Sequence, residues 1–207
     1  MPKTLHEKVH AARAILYEDD EERYYVNQQD GRVDLSVTGV LDEAGFYSWF
    51  QRDPEAAERG SVVHEILQLR DEGDLDRDSI DPELSGYVRA YEKALIALMP
   101  VEFIAIEHAI SKGNIGGRMD RVARVGLGLR PEIWDIKTGE GAIDPIAFLQ
   151  LSGYADILGV PTLARRVVQL RSGGTFEWQL KTATDWRCDY ETWKAAARVA
   201  TWKRANR

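Results

Sequence analysis

Apolar side chains recur along this chain first at helical spacing, then at strand spacing, then in alternation. Residues 3–17 predict an amphipathic helix, and RYYVNQQDGRVDLSVTGVL predicts a β-hairpin or short strands around an Asp-Gly turn. Helical spacing returns over residues 42–49 and 56–70, where Val62, Val63, Ile66, Leu67 and Leu69 surround His64, and again over 87–99. VEFIAIEHAI is apolar on both faces, as expected of a central strand, and the Gly-rich SKGNIGG leads into a partner strand, GRMDRVARV. EIWDIK follows as a further strand. A helix over 145–158 starts on a proline, RRVVQLRS and TFEWQLK pair around Ser172, Gly173 and Gly174, and a helix over 185–204 closes the order.

That succession predicts an α/β chain with a central mixed sheet flanked by helices. With 207 residues, 44% of them hydrophobic, the chain is long enough for one domain with a sizeable core. We divide it into an N-terminal helix and hairpin addition (1–55), a core (56–183) and a C-terminal helix (184–207). No internal repeat interrupts it.

Charge and cysteine content narrow the function classes. Cys188 is the only cysteine, which excludes an internal disulfide framework and an iron–sulfur cluster built from four cysteines of one chain. A reducing, cytoplasmic setting is expected, and no apolar run approaches the roughly 20 residues that span a bilayer. The net charge of -7 argues mildly against a polyanionic partner, but residues 161–207 hold ten Lys and Arg against four Asp and Glu. Arg118, Arg121 and Arg124 add positive charge beside Asp120, as a nucleic-acid contact or as a solvated surface. In DEGDLDRDSIDPE, Asp74, Asp76 and Asp78 alternate, yet the glycine and closing glutamate of a calcium loop are missing, so a solvated linker is expected. Trp186, Tyr190, Trp193 and Ala197 form a stripe on the last helix, read as core packing rather than a base-stacking surface.

The chemistry concentrates between Gly116 and Tyr154. In EIWDIKTG the period-two strand puts Ile133, Asp135 and Lys137 on one face, Trp134 and Ile136 on the other. Asp120 in GGRMD lies on the neighbouring strand, and Gln150 and Tyr154 share a face one helical turn apart. Paired carboxylates suit a hard divalent cation such as Mg²⁺ or Mn²⁺, which takes oxygen ligands and retains reactive waters. The plain alternatives are a turn-capping Asp120 or a surface Asp135–Lys137 pair. An unpaired carboxylate at Asp135, in a buried strand, would cost several kcal/mol. Glu107, placed by alternation on the strand face of Phe103, Ala105 and Ala109, is either a site carboxylate or half of a buried ion pair.

SVVHEILQL, GGRMD, WDIKTG and QLSGY, in this order and spacing, resemble the motifs of the PD-(D/E)xK nuclease superfamily in its RecB-like branch. SVTGVL followed by a helix and RGSVVH is similar to the N-terminal portion of its phage-type exonucleases. The similarity runs from about Ser36 to Tyr154. It implies a restriction-endonuclease-like core and a Mg²⁺- or Mn²⁺-dependent deoxyribonuclease with one or two ions. By the same resemblance His64, Asp120, Asp135 and the Ile136 carbonyl hold metal, with Glu107 as an extra carboxylate, and Lys137 stands beside the attacking water. Gln150 and Tyr154 match the QxxxY signature that lines the site or meets the DNA backbone, and Arg118 and Arg121 are candidate DNA contacts. The expected activity is exonucleolytic hydrolysis of DNA ends leaving 5′ phosphates, in phage or plasmid recombination or repair, within a bacterial cytoplasm if phage-encoded. A homo-oligomer or a recombination partner protein is compatible with it. A restriction-like or structure-directed endonuclease and a non-catalytic DNA-binding subunit are the alternatives.

Overall fold

The computed structural model describes residues 3–18, 23–27, 31–33, 35–47, 53–182 and 184–207. Its centre is a mixed sheet with helices on both faces. Strands β5 (Val101–Lys112), β6 (Ile115–Val125) and β7 (Arg130–Thr138) run antiparallel in succession. The chain then crosses over through helix α5 (Ile146–Ile157) to β8 (Ala164–Leu170), parallel to β7, and β9 (Phe176–Lys181) closes the edge antiparallel to β8. A two-residue strand, β4 (Leu35–Ser36), pairs in parallel with the first residues of β6.

Alternation along β7 sorts the core into two layers. Ile133 packs with Met119, Val122, Phe148, Leu151 and Trp193 on one side of the sheet, while Trp134 and Ile136 pack with Val63, Leu67, Tyr91 and Val168 on the other. The first layer is covered by helix α2 (Val37–Glu43), α5 and helix α6 (Trp186–Ala205); the second by helices α3 (Pro54–Glu72) and α4 (Ser85–Leu98). The aromatic stripe of α6 serves this packing. Trp193 is fully buried against Gly153, and both its indole N–H and the Tyr190 hydroxyl donate to Asp156 of α5, at 3.2 and 2.8 Å.

Four expectations are corrected. Helix α1 covers only Leu5–Ala11, held by a Thr4/Glu7 capping box, and the chain then extends into β1 (Ile15–Glu18), which pairs with β2 (Arg23–Asn27). Backbone bonds from Ala14 N to Ala109 O (2.9 Å) and from Ser111 N to Ala12 O (2.8 Å) claim residues 12–14 for the sheet, and an extended segment cannot also close helical bonds. Strand β5 is therefore not central. It forms the sheet's edge, partly covered by that segment, and most of its residues are half-buried. SVTGVL is helical, because the Ser36 hydroxyl accepts from Gly39 N at 2.8 Å and caps α2, which ends at Glu43. Of the expected helix at 42–49 only residues 42 and 43 are helical, as the end of α2; residues 44–47 form a turn, and Ser48 and Trp49 lie outside the described residues. Finally, a bulge between Phe103 and Ala105 places Phe103 in one layer and Ala105 in the other, so simple alternation to Glu107 fails.

The remaining strands follow the sequence. Asn27 pairs with Gly31 across a hairpin of β2 and β3 (Gly31–Val33), whose turn, including Asp30, lies outside the described residues. The acidic stretch is mostly turns capped by its own aspartates, Asp76 to Asp78 N and Asp81 to Glu83 N. No helix among the described residues is long and apolar enough to cross a membrane.

Where α4 meets the turn between β8 and β9, Gly86 leaves no room for a side chain: a β-carbon there would lie 1.6 Å from the carbonyl oxygen of Ser172. Since backbone must move to admit it, Gly86→Ala is expected to lower stability by about 1–3 kcal/mol, measured by urea denaturation. An unchanged midpoint would show that α4 does not dock this closely.

Candidate active site

The site forms where β6 and β7 part. Their ladder ends at the Arg121–Trp134 pair, and one step further Asp120 would face Asp135. The Ile136 N–H, released from strand pairing, donates instead to Asp120 Oδ2 at 2.6 Å. A backbone donor is thereby satisfied by a carboxylate, and the carboxylate is fixed. On the other side of the same residue, the Ile136 carbonyl accepts from His64 Nε2 of α3 at 3.0 Å.

Because a carbonyl only accepts, that bond puts a proton on His64 Nε2. Its Nδ1 faces two carboxylates, Glu107 Oε1 at 3.2 Å and Asp120 Oδ1 at 3.8 Å. Burial works against charge on this imidazole, but Asp120 and Glu107 outweigh it and raise its pKa to about 9. The ligand-capable atoms of His64, Glu107 and Asp120 all lie within 4.8 Å of one another. Glu107, the least secure member by sequence, stands in this trio; its backbone has φ of 42°, and its Oε1 also accepts from Arg121 Nη1 at 2.9 Å. It is at once in the cluster and in a buried ion pair.

Asp135 stands beside the trio on the Lys137 side. Lys137 Nζ donates to Asp135 Oδ1 at 2.9 Å and lies 3.3 Å from Gln150 Oε1, while Gln150 Nε2 donates to the Tyr154 hydroxyl at 3.0 Å. Burial opposes charge on the amine, yet Asp135 and Asp120 prevail and push its pKa up to about 12. Lys137 is therefore a charged donor at neutral pH. Burial raises the pKa of both Asp120 and Asp135, reinforced by the carboxylates around them. Asp135 Oδ2 is buried with no hydrogen-bond partner.

His64, Asp120, Asp135, Lys137, Gln150 and Tyr154 line a cleft of about 340 Å³, bounded by α3, β6, β7 and α5. Gly117 is required there: the Tyr154 ring lies where a β-carbon would come within 2.5 Å of it. Arg118 reaches the rim and pairs with Glu107 Oε2 at 3.3 Å.

Arg121 is corrected. Its side chain is fully enclosed, donating to Asp71 Oδ2 at 2.7 Å, to Glu107 and to its neighbour's carbonyl, Asp120 O, at 2.7 Å. It cannot reach a nucleic acid from there. The basic C-terminal segment is likewise mostly committed within the chain: Arg166 forks onto Glu132, Arg165 is buried, Lys181 pairs with Asp189, and Arg204 and Arg207 pair with Glu43.

Does this set fit a divalent cation? Asp71, Glu107, Asp120 and Asp135 have side chains 0, 5, 12 and 2% exposed. Without a metal these carboxylates are balanced by Arg121, Lys137 and the imidazolium of His64, with Arg70 and Arg118 at the margins. The oxygen-rich donors and the unpartnered Asp135 Oδ2 fit a hard cation.

No family model and no curated protein matches this sequence. Among solved structures, the chain is similar to an alkaline exonuclease (LHK-Exo) from Laribacter hongkongensis, with 12% identity, a TM-score of 0.40, and coverage of 83% of this chain and 92% of that one. The structure of LHK-Exo in complex with dAMP gives 12% identity, a TM-score of 0.38 and the same coverages of 83% and 92%. The geometry of the cleft, not these similarities, carries the assignment below.

Asp71 is the residue that sequence reasoning missed. It accepts from Arg121, from the Tyr91 hydroxyl at 2.7 Å and from Arg70 at 2.9 Å, anchoring the ion pair that holds Glu107. The signal was its spacing: positions 60, 64, 67 and 71 follow one face of α3. Its place in an acidic run concealed that. Removing one partner of such a buried pair leaves the other uncompensated, so Arg121→Met is expected to cost about 3–5 kcal/mol in chemical denaturation. The double variant Arg121→Met, Asp71→Leu should recover part of that loss. If the double costs as much as the two singles together, the charges are not coupled.

Proposed function

We propose that this chain is a divalent-metal-dependent nuclease that hydrolyses DNA phosphodiester bonds, with attack on free ends as its favoured mode. One observation supports this above all: Asp120, Asp135, His64 and Lys137, drawn from two strands and one helix of the sheet core, line a single cleft, with Glu107 of the edge strand bonded to His64 and Arg121 behind it. The same motifs resemble the PD-(D/E)xK superfamily in its RecB-like branch, and that reading supplies the 5′-phosphate product and the preference for ends.

Asp120, Asp135, Glu107 and His64 are the residues that would hold Mg²⁺ or Mn²⁺, with the Ile136 carbonyl at hand. Such an ion supplies Lewis acidity toward a phosphoryl oxygen and lowers the pKa of a coordinated water. The chain's own groups do the rest. Lys137, kept cationic by Asp135 and oriented by Gln150, donates to negative charge developing on the phosphoryl group and helps align the nucleophilic water. Being charged, it acts as a donor rather than as the base. Tyr154 fixes Gln150, and so the amine, from a full helical turn away. Arg118 at the rim is placed to meet a neighbouring phosphate.

End-labelled linear duplex and single-stranded DNA should be degraded only with Mg²⁺ or Mn²⁺ present. Lys137→Ala and Asp120→Asn are each expected to lower the rate by about 10²–10³-fold or more while both proteins stay folded by circular dichroism. Wild-type turnover by either variant removes the proposal.

A second expectation concerns mode. Covalently closed circular duplex should persist under conditions that consume its linearised form within minutes, and the products should carry 5′ phosphates that accept no label from polynucleotide kinase until dephosphorylated. Rapid loss of the closed circle would reassign the chain as an endonuclease with the same cleft.

A further inference from the structure

A cavity roomier than the proposed catalytic cleft lies elsewhere on the described surface. A groove of about 740 Å³ lies between α1, residues 12–14, the end of α5 and the end of β5. Among the described residues its lining includes Lys3, Lys8, Arg13 and Lys112 and no aspartate or glutamate, in a chain whose net charge is -7. Lys8 is engaged by the Gly159 carbonyl at 2.9 Å. Lys3, Arg13 and Lys112 are exposed, and among the described residues none of them forms an ion pair.

Three separate elements pass from one cavity to the other. On α5, Tyr154 lines the cleft and Leu158, one turn or about 6 Å further along, lines the groove. On β2, Tyr25 faces the cleft, whereas Val26 and Asn27 face the groove. In the β5–β6 hairpin, Gly117 belongs to the cleft, and Ser111 and Lys112 to the groove. The two cavities are thus neighbours, with the buried Tyr25, Gly117 and Tyr154 on the cleft side of the boundary between them.

We propose that this groove carries the phosphodiester backbone of the DNA strand whose scissile bond lies in the cleft, with Lys3, Arg13 and Lys112 contacting successive phosphates. The inference rests on the nuclease reading above. The cations come from three separate places in the fold: the residue before the α1 cap, the extended segment after α1 and the end of β5. A row of separated charges suits a polyanion, whose counterions are released on contact, better than a single small anion. Between them Ile15, Val26 and Leu158 give an apolar floor that sugar and base faces can cover.

The test is fluorescence anisotropy with labelled single-stranded 4-mer and 12-mer DNA in EDTA, across a salt series, on the full chain. The triple substitution Lys3→Glu, Arg13→Glu, Lys112→Glu should raise the 12-mer Kd at least about tenfold. It should also flatten the slope of log K against log salt by about 2, since each phosphate contact on a single strand contributes roughly 0.7. The 4-mer, short enough to sit in the cleft alone, should shift less than twofold. The triple glutamine variant should follow in the same direction with a smaller change, and circular dichroism melting checks folding of both. Arg198→Glu, an exposed reversal on α6, is the control for net charge. A 12-mer Kd and slope within twofold of wild type in both triples overturn the groove while leaving the nuclease reading intact. An equal loss in the Arg198→Glu control also overturns it. Absence of 12-mer binding by wild type overturns the groove, whereas the nuclease reading is decided separately by the Mg²⁺-dependent degradation assay.

Discussion

Charge that is enclosed must be balanced, and this constraint organises the molecule. Asp71, Glu107, Asp120 and Asp135 are drawn into or beside the sheet, where unpaired carboxylates are expensive. Arg121, fully enclosed, ties Asp71 at the end of α3 to Glu107 on the edge strand. That one guanidinium links the helix carrying His64 to the strand carrying Glu107. A site assembled from α3, β5, β6, β7 and α5 depends on such cross-connections, because no local segment contains more than two or three of its groups.

The second organising feature is the parting of β6 and β7. In a continuous ladder, Ile136 would bond to a backbone carbonyl across the sheet and Asp120 would be one more strand residue. Here the strands separate, Ile136 turns its N–H to Asp120 and its carbonyl to His64, and the opening becomes the floor of the cleft. Three structural irregularities lie close by: the bulge at Phe103–Ala105, the positive φ of Glu107 and the close approach of Tyr154 to Gly117. Departures from ideal geometry concentrated at one place are what a site built on a regular scaffold requires.

Electrostatically the cleft is two-sided. His64, Glu107 and Asp120 form the compact acidic half, and Asp135, Lys137 and Gln150 form a half with its own cation. The unpartnered oxygen of Asp135 belongs to neither, and a cation bound between the halves would give it a partner. Arg118 stands at the rim of this cleft, and Lys3, Lys8, Arg13 and Lys112 line a separate groove.

Much of this was legible in the sequence by itself. Alternation in EIWDIKTG correctly separated Asp135 and Lys137 from Trp134 and Ile136, and the one-turn spacing of Gln150 and Tyr154 placed them together, because both follow from backbone periods of 2.0 and 3.6. The β5–β6 hairpin, the β8–β9 pair and helices α3 to α6 follow from the same local rules. Only tertiary structure decided the rest. Residues 12–14 became extended because the edge of β5 offered them hydrogen bonds, and β5 became that edge because β7, not a later strand, took the other side of β6. Glu107 entered the cluster through a bulge that no period records, and Arg121 turned inward because Asp71, fifty residues earlier, lay at the matching turn of α3. Periodicity is a property of neighbours along the chain, whereas the pairing of buried charges and the choice of a strand's partner are settled by groups that meet only when the sheet closes.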